Sequence, residues 1–291
     1  MEICIKNGIP YITSPLFEKY GIPHAFTTKR GGCSEGVFDS LNVSTRRKNS
    51  DGATDKYENT VENFRRVLSL VGATTEKSVC AHQVHGNTVL ELSCEFGGMG
   101  ILKGAKINID GDGLFASQNS GIEAICVKSA DCTPILFADK RSGNVCAVHS
   151  GWRGTVLDIA GKAVETMVKN GSRREDILCA VGPCIGVCCY EVSEDVYLEA
   201  RKTLVEKNAT NLLPELFINE KETENGRKYH FNIGKMCAEL AILAGIPREN
   251  TDFLDICTCC TTDKGGRVFF SHRGQKGYSG TFASVIAPFG G

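Results

Sequence analysis

The sequence predicts a single α/β domain with mixed β-sheets that spans residues 1–291. Three observations favour this fold class. Short apolar runs typical of strands alternate along the chain with amphipathic stretches typical of helices. No internal repeat is present, and no linker is long or biased enough to divide the chain. With 291 residues, of which 42% are hydrophobic, the chain has enough apolar material for a sizeable core.

The first hundred residues predict strands, one helix and two glycine-rich loops. Residues 55–71 predict a helix because their apolar side chains recur on one face, and Gly72 marks its end. The loops are expected at Gly31-Gly32 and over 94–106. Strands are predicted at residues 11–12, 24–26, 38–43 and 83–92.

The rest of the chain continues the alternation of strands and helices. A helix is predicted over 155–169, with Gly171 after it. A second helix is expected to begin at Ser193, a good N-cap followed by two acidic residues. A third is expected over 232–243, with Gly245 as its stop. Strands are predicted at residues 112–115, 122–127, 135–138, 145–148, 177–181, 253–257, 268–271 and 281–287.

Composition and charge exclude several function classes. The formal net charge is −1, and the basic runs at Arg46–Lys48 and Arg173-Arg174 are short. We therefore expect neither a nucleic-acid partner nor binding to an anionic membrane. The first residues include Glu2 and Lys6 and lack the apolar core of a signal peptide. No uncharged apolar run approaches the ~18 residues of a membrane span. The expected location is the cytoplasm, and the oligomeric state stays open.

The chemistry is expected to centre on residues 129–155. Cys132 comes just before one predicted strand, and His149 comes at the end of the next. A thiolate and an imidazole that converge in this way suit either a metal site or a Cys-His nucleophile. His85 is a third candidate, within the sequence His-Gln-Val-His-Gly. All three are flanked by glycine or polar residues where a core position would need bulk.

These residues belong to a larger set of motifs that follow one another in order. The motifs are Gln83-Val-His-Gly86, Asp112-Gly-Leu114, Ala130-Asp-Cys-Thr-Pro134, His149-Ser-Gly-Trp-Arg-Gly154, Gly182-Pro-Cys-Ile-Gly186, Cys189-Tyr-Glu-Val192 and Phe269-Phe-Ser271. Together they closely resemble the laccase-domain family, formerly called multicopper polyphenol oxidases and now regarded as purine nucleoside phosphorylases. The resemblance extends from Phe26 to Ile286.

The resemblance implies a fold, a metal and an activity. The fold is a single domain with two mixed β-sheets packed face to face and helices outside, a four-layer α/β/β/α arrangement. The metal is zinc, bound by His85, Cys132 and His149, with copper as the alternative. The activity is phosphorolysis of adenosine, inosine and methylthioadenosine to the free base and ribose 1-phosphate, together with adenosine deamination. Purine nucleosides and inorganic phosphate are thus the expected partners.

The residue types suit this chemistry. Three protein ligands leave a fourth zinc position open, which is typical of a catalytic site, and zinc lowers the pKa of bound water to about 7. Zinc deaminases of bases also use a glutamate beside a ligand histidine, and His85 is not followed by one. Asp131 or Asp112 could replace it in catalysis, although Asp131 could equally be a brace for a ligand.

Phosphorolysis also requires cations that hold inorganic phosphate. The expected substrate-binding residues lie in or beside the family motifs, the cations on glycine-flanked loops, and are Lys29, Arg30, Arg153, Ser271 and Arg273. An alternative for each arginine alone is a surface salt bridge. The chain departs from the family pattern at Lys29, His272 and Thr281, where arginine, tyrosine and arginine are usual, so these departures bear on substrate range and phosphate affinity.

The chain has fifteen cysteines, an odd number. Without export they are expected to be reduced thiols. An iron–sulfur cluster would need four well-spaced thiolates, whereas adjacent cysteines in a strand point to opposite faces. The cysteines at 179, 184, 188, 189, 257, 259 and 260 are therefore expected to serve mostly in packing.

Three other functions compete with the phosphorylase. A copper polyphenol oxidase with a multicopper cluster needs more imidazoles than the six histidines offer. A cysteine hydrolase would use Cys132 as nucleophile and His149 as base, without metal. A non-catalytic zinc protein would close the fourth metal position with one of the spare cysteines.

Overall fold

The computed structural model describes residues 2–224 and 226–290. Its helices are α1 (Pro15–Lys19), α2 (Tyr57–Ser69), α3 (Trp152–Val156), α4 (Ile159–Lys169), α5 (Glu194–Glu206), α6 (Leu213–Leu216) and α7 (Ile233–Leu243). Its strands are β1 (Cys4–Lys6), β2 (Ile9–Ile12), β3 (His24–Thr27), β4 (Ser78–Cys80), β5 (Val89–Glu91), β6 (Gly113–Ala116), β7 (Ala124–Ser129), β8 (Thr133–Asp139), β9 (Val145–Ser150), β10 (Ile177–Val181), β11 (Glu191–Ser193), β12 (Phe217–Lys221), β13 (Lys228–Phe231), β14 (Thr251–Phe253), β15 (Thr262–Asp263), β16 (Gly266–Arg267) and β17 (Phe282–Ile286).

Two six-stranded mixed sheets form the centre of the fold. The first has the order β1-β2-β3-β17-β7-β4, and the second has the order β14-β10-β8-β9-β6-β5. Each sheet is antiparallel except at its ends: β4 pairs parallel with β7, while β5 and β14 pair parallel with β6 and β10. A three-stranded sheet, β11-β13-β12, and the hairpin β15-β16 lie beside them.

The side-chain alternation of the strands explains the layers. In β8, Leu136 and Ala138 pack between the two sheets, whereas Ile135 and Phe137 face the helices on the other side. Because successive side chains of a strand point to opposite faces, each central strand is buried on both sides. Helix α2 covers the first sheet, and α4 and α7 cover the second. The expected α/β/β/α arrangement is confirmed.

Several predicted elements are wrong in extent. Residues 38–43 and 268–271 are largely buried but form no strand, since their backbone groups bond to loops, as when Lys29 N donates to the Val268 carbonyl. The predicted strand at 83–92 shrinks to β5, and the predicted strand at 253–257 overlaps β14 only at Phe253. The predicted helix over 155–169 is two helices. Asp158 breaks it with a φ of 54° and caps α4 by accepting from the Gly161 N–H.

Several short elements were not predicted at all. They are α1, α6, β1, β4, β11, β12, β13, β15 and β16. Within the residues that the structure describes, no helix combines the length and apolar character needed to cross a membrane.

Candidate active site

The β8-β9 hairpin brings Cys132 and His149 together. Its register pairs Pro134 with His149 and Thr133 with Ser150, so Cys132 lies opposite Gly151 at the same end of the hairpin. Cys132 and Pro134 are two residues apart and therefore share a face with His149. The antiparallel register alone thus directs the thiol and the imidazole to one side of the sheet.

His85 comes to the same place from the loop between β4 and β5. The loop is fixed by Asp112, whose carboxylate accepts the backbone N–H groups of Val84, His85 and Gly86 at 3.2, 3.0 and 2.7 Å. His85 itself has a φ of 64°, an uncommon conformation for a residue other than glycine. The exposed imidazole is thereby turned towards the hairpin end.

Asp112 also orients the second imidazole. Its Oδ1 lies 2.8 Å from His149 Nδ1, and its backbone carbonyl accepts from the His149 backbone N–H at 2.7 Å. Asp112 is fully buried, and His149 is 3% exposed. When Nδ1 is protonated and donates a hydrogen bond to the carboxylate, Nε2 of the neutral imidazole has a free lone pair. A metal ligand needs this form of histidine.

The three side chains meet the geometric requirements of a metal site. One ligand atom from each of His85, Cys132 and His149 lies within 4.8 Å of the other two. The imidazole centroids are 4.9 Å apart, with the rings at 84°. A Cβ at Gly151 would lie 3.0 Å from His85 Cδ2 and 3.3 Å from Cys132 Sγ, so glycine keeps this space open. Two imidazoles and one thiolate form a donor set that suits zinc.

The electrostatics of the metal-free chain favour the ligand form of the cysteine. Burial opposes ionisation of Cys132, but His149 and His85 outweigh it and lower the pKa of the thiol to about 6. Burial likewise opposes protonation of His149, yet the Cys132 thiolate and Asp112 raise its pKa to about 9. The pKa of Asp112 is lowered: burial opposes its ionisation, but His149 and the backbone N–H groups stabilise the carboxylate. A thiolate is therefore available at neutral pH.

The three candidate ligands line a cavity of about 600 Å³. Its other lining residues are Ser44, Arg46, Arg47, Gln83, Lys128, Ala130, Asp131, Gly151, Trp152, Arg153, Ile185, Tyr190, Ile233, His272, Arg273 and Thr281. Among the described residues in this lining, five are permanent cations and only Asp131 is a carboxylate. A larger cavity of about 830 Å³ lies beside β1, β2 and residues 254–261, and none of the three ligands reaches it.

The expected substrate residues separate into two groups. Arg153 and Arg273 line the cavity, where Arg153 lies over the Trp152 ring at 4.5 Å and Arg273 over the Tyr190 ring at 5.6 Å. The other three lie outside its lining. Arg30 is held by Asp263 at 2.6 and 2.5 Å, Lys29 lies 3.9 Å from Asp39, and Ser271 Oγ accepts the Gly274 N–H. Substrate binding by these three therefore has no support in the geometry.

Asp131 is beside the candidate ligands, but its carboxylate is occupied. Oδ1 accepts from the Thr258 hydroxyl at 2.7 Å, and Oδ2 accepts from the Arg273 backbone N–H at 2.6 Å. Its own carbonyl accepts from the Ile185 N–H. Asp131 thus ties three loops to the start of β8, with a φ of 93°.

Several residues of the cavity were not predicted from the sequence. Arg46 and Arg47 belong to the basic run Arg46–Lys48, and neighbouring cations within a polar loop are the sequence signal for them. Arg47 Nη1 lies 3.2 Å from His272 Nδ1. Lys128 lies in a predicted strand, and no sequence signal distinguishes it. The unusual residues His272 and Thr281 both line the cavity, whereas Lys29 does not.

The whole chain is similar to proteins of one known family. Residues 23–288 match the family described as multi-copper polyphenol oxidoreductase laccase. A purine nucleoside phosphorylase of Deinococcus radiodurans is 35% identical over 281 residues, which cover 96% of this chain and 93% of the relative. The purine nucleoside phosphorylase YlmD of Geobacillus stearothermophilus is 33% identical over 267 residues, covering 91% and 90%. The crystal structure of YlmD from that organism matches with a TM-score of 0.80 at 30% identity, over 99% of both chains. Since the match is this extensive, the chain belongs to the multi-copper polyphenol oxidoreductase laccase family.

Proposed function

We propose that the protein is a zinc-dependent purine nucleoside phosphorylase, with adenosine deamination as a second activity of the same site. The observation that carries the proposal is the convergence of His85, Cys132 and His149 at the wall of a cavity rich in cations. The names of the relatives support a nucleoside phosphorylase-type enzyme. The proposed substrates are adenosine, inosine and methylthioadenosine.

The metal would be held by His85, Cys132 and His149. When bound, zinc supplies a Lewis acid that polarises a substrate atom or acidifies a water molecule. The role of Asp112 is to fix the tautomer of His149 and the loop of His85, because both of its carboxylate oxygens accept hydrogen bonds from these groups. A catalytic role for Asp112 as a proton carrier is therefore disfavoured, and we propose positioning instead.

The cations of the cavity would bind phosphate. Within the described chain, Arg153 has no carboxylate within salt-bridge distance, and its guanidinium lies on the Trp152 ring beside the candidate ligands. A planar guanidinium can donate two parallel hydrogen bonds to one phosphate. Helix α3 has only five residues, so its N-terminus adds little to this site. We propose that Arg153 bears most of the phosphate contact and that Arg47 and Lys128 raise the local anion concentration.

Aromatic side chains in the same wall are suited to a purine. Tyr190 is stacked on Phe231, with centroids 5.9 Å apart, and burial raises the pKa of its hydroxyl, which keeps it neutral. Trp152 follows the hairpin in the chain, and the Arg153 guanidinium lies 4.5 Å from the centroid of its ring. Flat π faces of this kind stack on any base, which agrees with a range of purine nucleosides as substrates.

Deamination requires a proton carrier, and Asp131 is the only carboxylate among the described residues that line the cavity. The Asp131 carboxylate already accepts from Thr258 and Arg273, which favours the brace over the catalytic role that the sequence left open. We therefore propose deamination as the slower activity. The net reaction takes up one water and releases ammonia and inosine.

Two alternatives draw on the same residues. A copper polyphenol oxidase is disfavoured because the other four histidines lie outside the ligand group; His24 and His230, for example, bond to the Ile22 and Val187 carbonyls. A cysteine hydrolase is consistent with the lowered pKa of Cys132, but gives His85 no role. Metal content separates it from our proposal.

A product assay tests the proposal. Metal-replete protein is incubated with adenosine or inosine, with and without phosphate, and free base, ribose 1-phosphate and inosine are followed by chromatography. We expect free base and ribose 1-phosphate only when phosphate is present. Cys132→Ala should abolish both activities together. Hydrolysis of a thioester or glutamine amide, without any of these products, would establish the cysteine hydrolase instead.

Arg153→Met tests the phosphate site. We expect the KM for phosphate to rise by about 10-fold or more, which corresponds to the loss of a charge-assisted hydrogen bond of about 1.5–3 kcal/mol, while metal content stays unchanged. Arg201→Met is the matched control, since Arg201 is exposed on α5. An unchanged KM for phosphate in the Arg153 variant would make that residue a structural brace.

A further inference from the structure

A second group of metal-ligating side chains lies outside the candidate active site. One sulfur from each of Cys188, Cys189, Cys257 and Cys260 lies within 4.8 Å of the other three. Cys188 Sγ and Cys260 Sγ are 3.6 Å apart. The sequence predicted that these cysteines serve mostly in packing. Cys179 and Cys184 are buried in the core, whereas Cys188 and Cys260 are exposed.

The local backbone explains why the four sulfurs converge. Residues 187–189 form a turn, as do residues 258–260. Neighbouring cysteines in a strand would point to opposite faces, but a turn directs Cys188 and Cys189 to the same side. The second turn places two cysteines in a Cys-x-x-Cys spacing, which is common in metal sites. An isolated β-bridge between Cys184 and Cys257 holds the two turns side by side.

The backbone around Cys257 is arranged to stabilise a thiolate. The Gly186 N–H donates to Cys257 Sγ at 3.2 Å. A Cβ at position 186 would lie 3.3 Å from Cys188 Sγ and 3.4 Å from Cys257 Sγ. Glycine therefore allows the backbone to approach the sulfurs closely.

We propose that Cys188, Cys189, Cys257 and Cys260 bind one structural zinc ion as four thiolates. Tetrahedral coordination with Zn–S bonds of about 2.3 Å separates the sulfurs by about 3.8 Å, which agrees with the observed 3.6 Å pair and the upper limit of 4.8 Å. Four sulfurs within 4.8 Å of one another fit a single ion, whereas the thiolates of an iron–sulfur cluster are divided among two or four irons. On binding, the thiol protons are released to solvent.

The surroundings supply compensating charge and connect the site to the cavity. Four thiolates around a divalent ion leave a net charge of −2. The Arg267 guanidinium donates to the Cys259 carbonyl, and that of Arg273 donates to the Cys189 carbonyl at 3.3 Å. Thr258, inside the second turn, donates to Asp131 of the cavity wall. The ion would thus fix the loop that carries Tyr190 and the loop whose Thr258 hydroxyl donates to Asp131.

Elemental analysis of the purified full-length protein and of two double variants tests the proposal. The wild-type protein should contain one zinc ion in the four-cysteine group, in addition to any ion bound in the active site. Cys188→Ser/Cys260→Ser should lose that ion, whereas Cys132→Ala/His149→Ala should retain it. The two double variants thus report the metal content of the two sites separately, whichever metal the active site binds. Cys94→Ser is the matched control, because Cys94 is exposed and outside both groups. An unchanged metal content in the Cys188/Cys260 variant would overturn the proposal.

Alkylation of the wild-type protein provides a test that does not depend on the folding of a variant. The native protein is treated with iodoacetamide before and after chelation, and the labelled cysteines are mapped by mass spectrometry. We expect Cys188 and Cys260, although exposed, to be protected until zinc is removed. Equal labelling before and after chelation, a Cys188–Cys260 disulfide or the visible absorption of an iron–sulfur cluster would each overturn the proposal.

Discussion

At the scale of single residues, Asp112 has the largest influence on the candidate active site. This buried carboxylate accepts three backbone N–H groups of the His85 loop and the Nδ1–H of His149. It therefore positions two of the three candidate ligands, and it is not itself among the residues that line the cavity. Asp112 is recognisable in the sequence as a motif residue. Its role cannot be predicted there, because it depends on contacts with His85 and His149, which are 27 and 37 residues away in the chain.

Asp112→Asn should weaken metal binding by about 10- to 100-fold, as expected when an outer partner of a ligand histidine is lost. An asparagine has one acceptor oxygen where the aspartate has two. Its NH2 group would therefore face backbone N–H groups of the His85 loop that now donate to the carboxylate. The affinity is measured by competition with a chromogenic chelator. Asp110→Asn is the control, since Asp110 is exposed and contacts His82 instead. Equal affinities in the two variants would contradict a positioning role.

The ionisation of Cys132 gives a pH dependence with a defined sign. The folded chain lowers the pKa of this thiol to about 6, so its contribution to the stability of metal-free protein is complete above about pH 9 and is lost as pH falls through about 6. The raised pKa of His149 acts in the opposite sense, and its contribution is lost as pH rises through about 9. The thiolate of Cys132 and the imidazolium of His149 therefore exist together between about pH 6 and about pH 9.

Alkylation of chelated protein checks this assignment. The rate at Cys132, followed by mass spectrometry, should reach half its maximum near pH 6. His149→Gln should move this midpoint upwards, towards the ordinary range of a thiol. Cys33 is an internal control, because burial raises the pKa of its thiol and delays its alkylation to higher pH. A midpoint of Cys132 that does not respond to His149→Gln would refute the pair.

At the scale of elements, the β8-β9 hairpin determines how close the ligands come. Gly151 follows β9 and lies opposite Cys132, and its φ of −73° is accessible to any residue. The need for glycine is therefore steric and not conformational. The sequence predicted both strands and the turn between them, but their register, which decides this contact, became visible only in the structure.

Gly151→Ala should reduce activity by about 100-fold, because a displacement of the ligands by a fraction of an ångström to 1 Å has effects of this size. The added Cβ would press on His85 Cδ2 and Cys132 Sγ. Metal content and product formation are measured side by side. Gly104→Ala is the matched control, since nothing lies within 4 Å of a Cβ at that position. Full activity in Gly151→Ala would show that the space between Gly151, His85 and Cys132 tolerates a methyl group.

The elements that the sequence missed have local physical causes. Residues 83–88 have the apolar and polar mixture of a strand, but the Gln83 side chain bonds twice to the Lys128 backbone and draws the loop away from the β5 ladder. The side chains of β12 after Phe217 are exposed, so the strand shows no apolar alternation. Conversely, α2 and α7 were predicted well because their apolar faces are long and regular.

At the scale of the whole molecule, the candidate active site depends on the packing of the two large sheets. Phe282 of β17 and Leu136 of β8 belong to one core cluster between the sheets, and Phe282 lies 5.5 Å from Phe269. The strands of this core come from all parts of the sequence, from β3 to β17. We therefore propose that residues 1–291 form one domain that unfolds as a unit.

Phe282→Ala should lower the free energy of unfolding by about 3–5 kcal/mol, the usual effect of removing a buried aromatic side chain. If the chain is one domain, circular dichroism and metal release should shift together along the denaturant axis, because loss of the shared core separates the hairpin from the His85 loop. Val205→Ala, at an exposed position of α5, should change the free energy by no more than about 0.5 kcal/mol. Two separate transitions, of which only one responds to Phe282→Ala, would divide the chain into two units and assign the metal-binding residues to one of them.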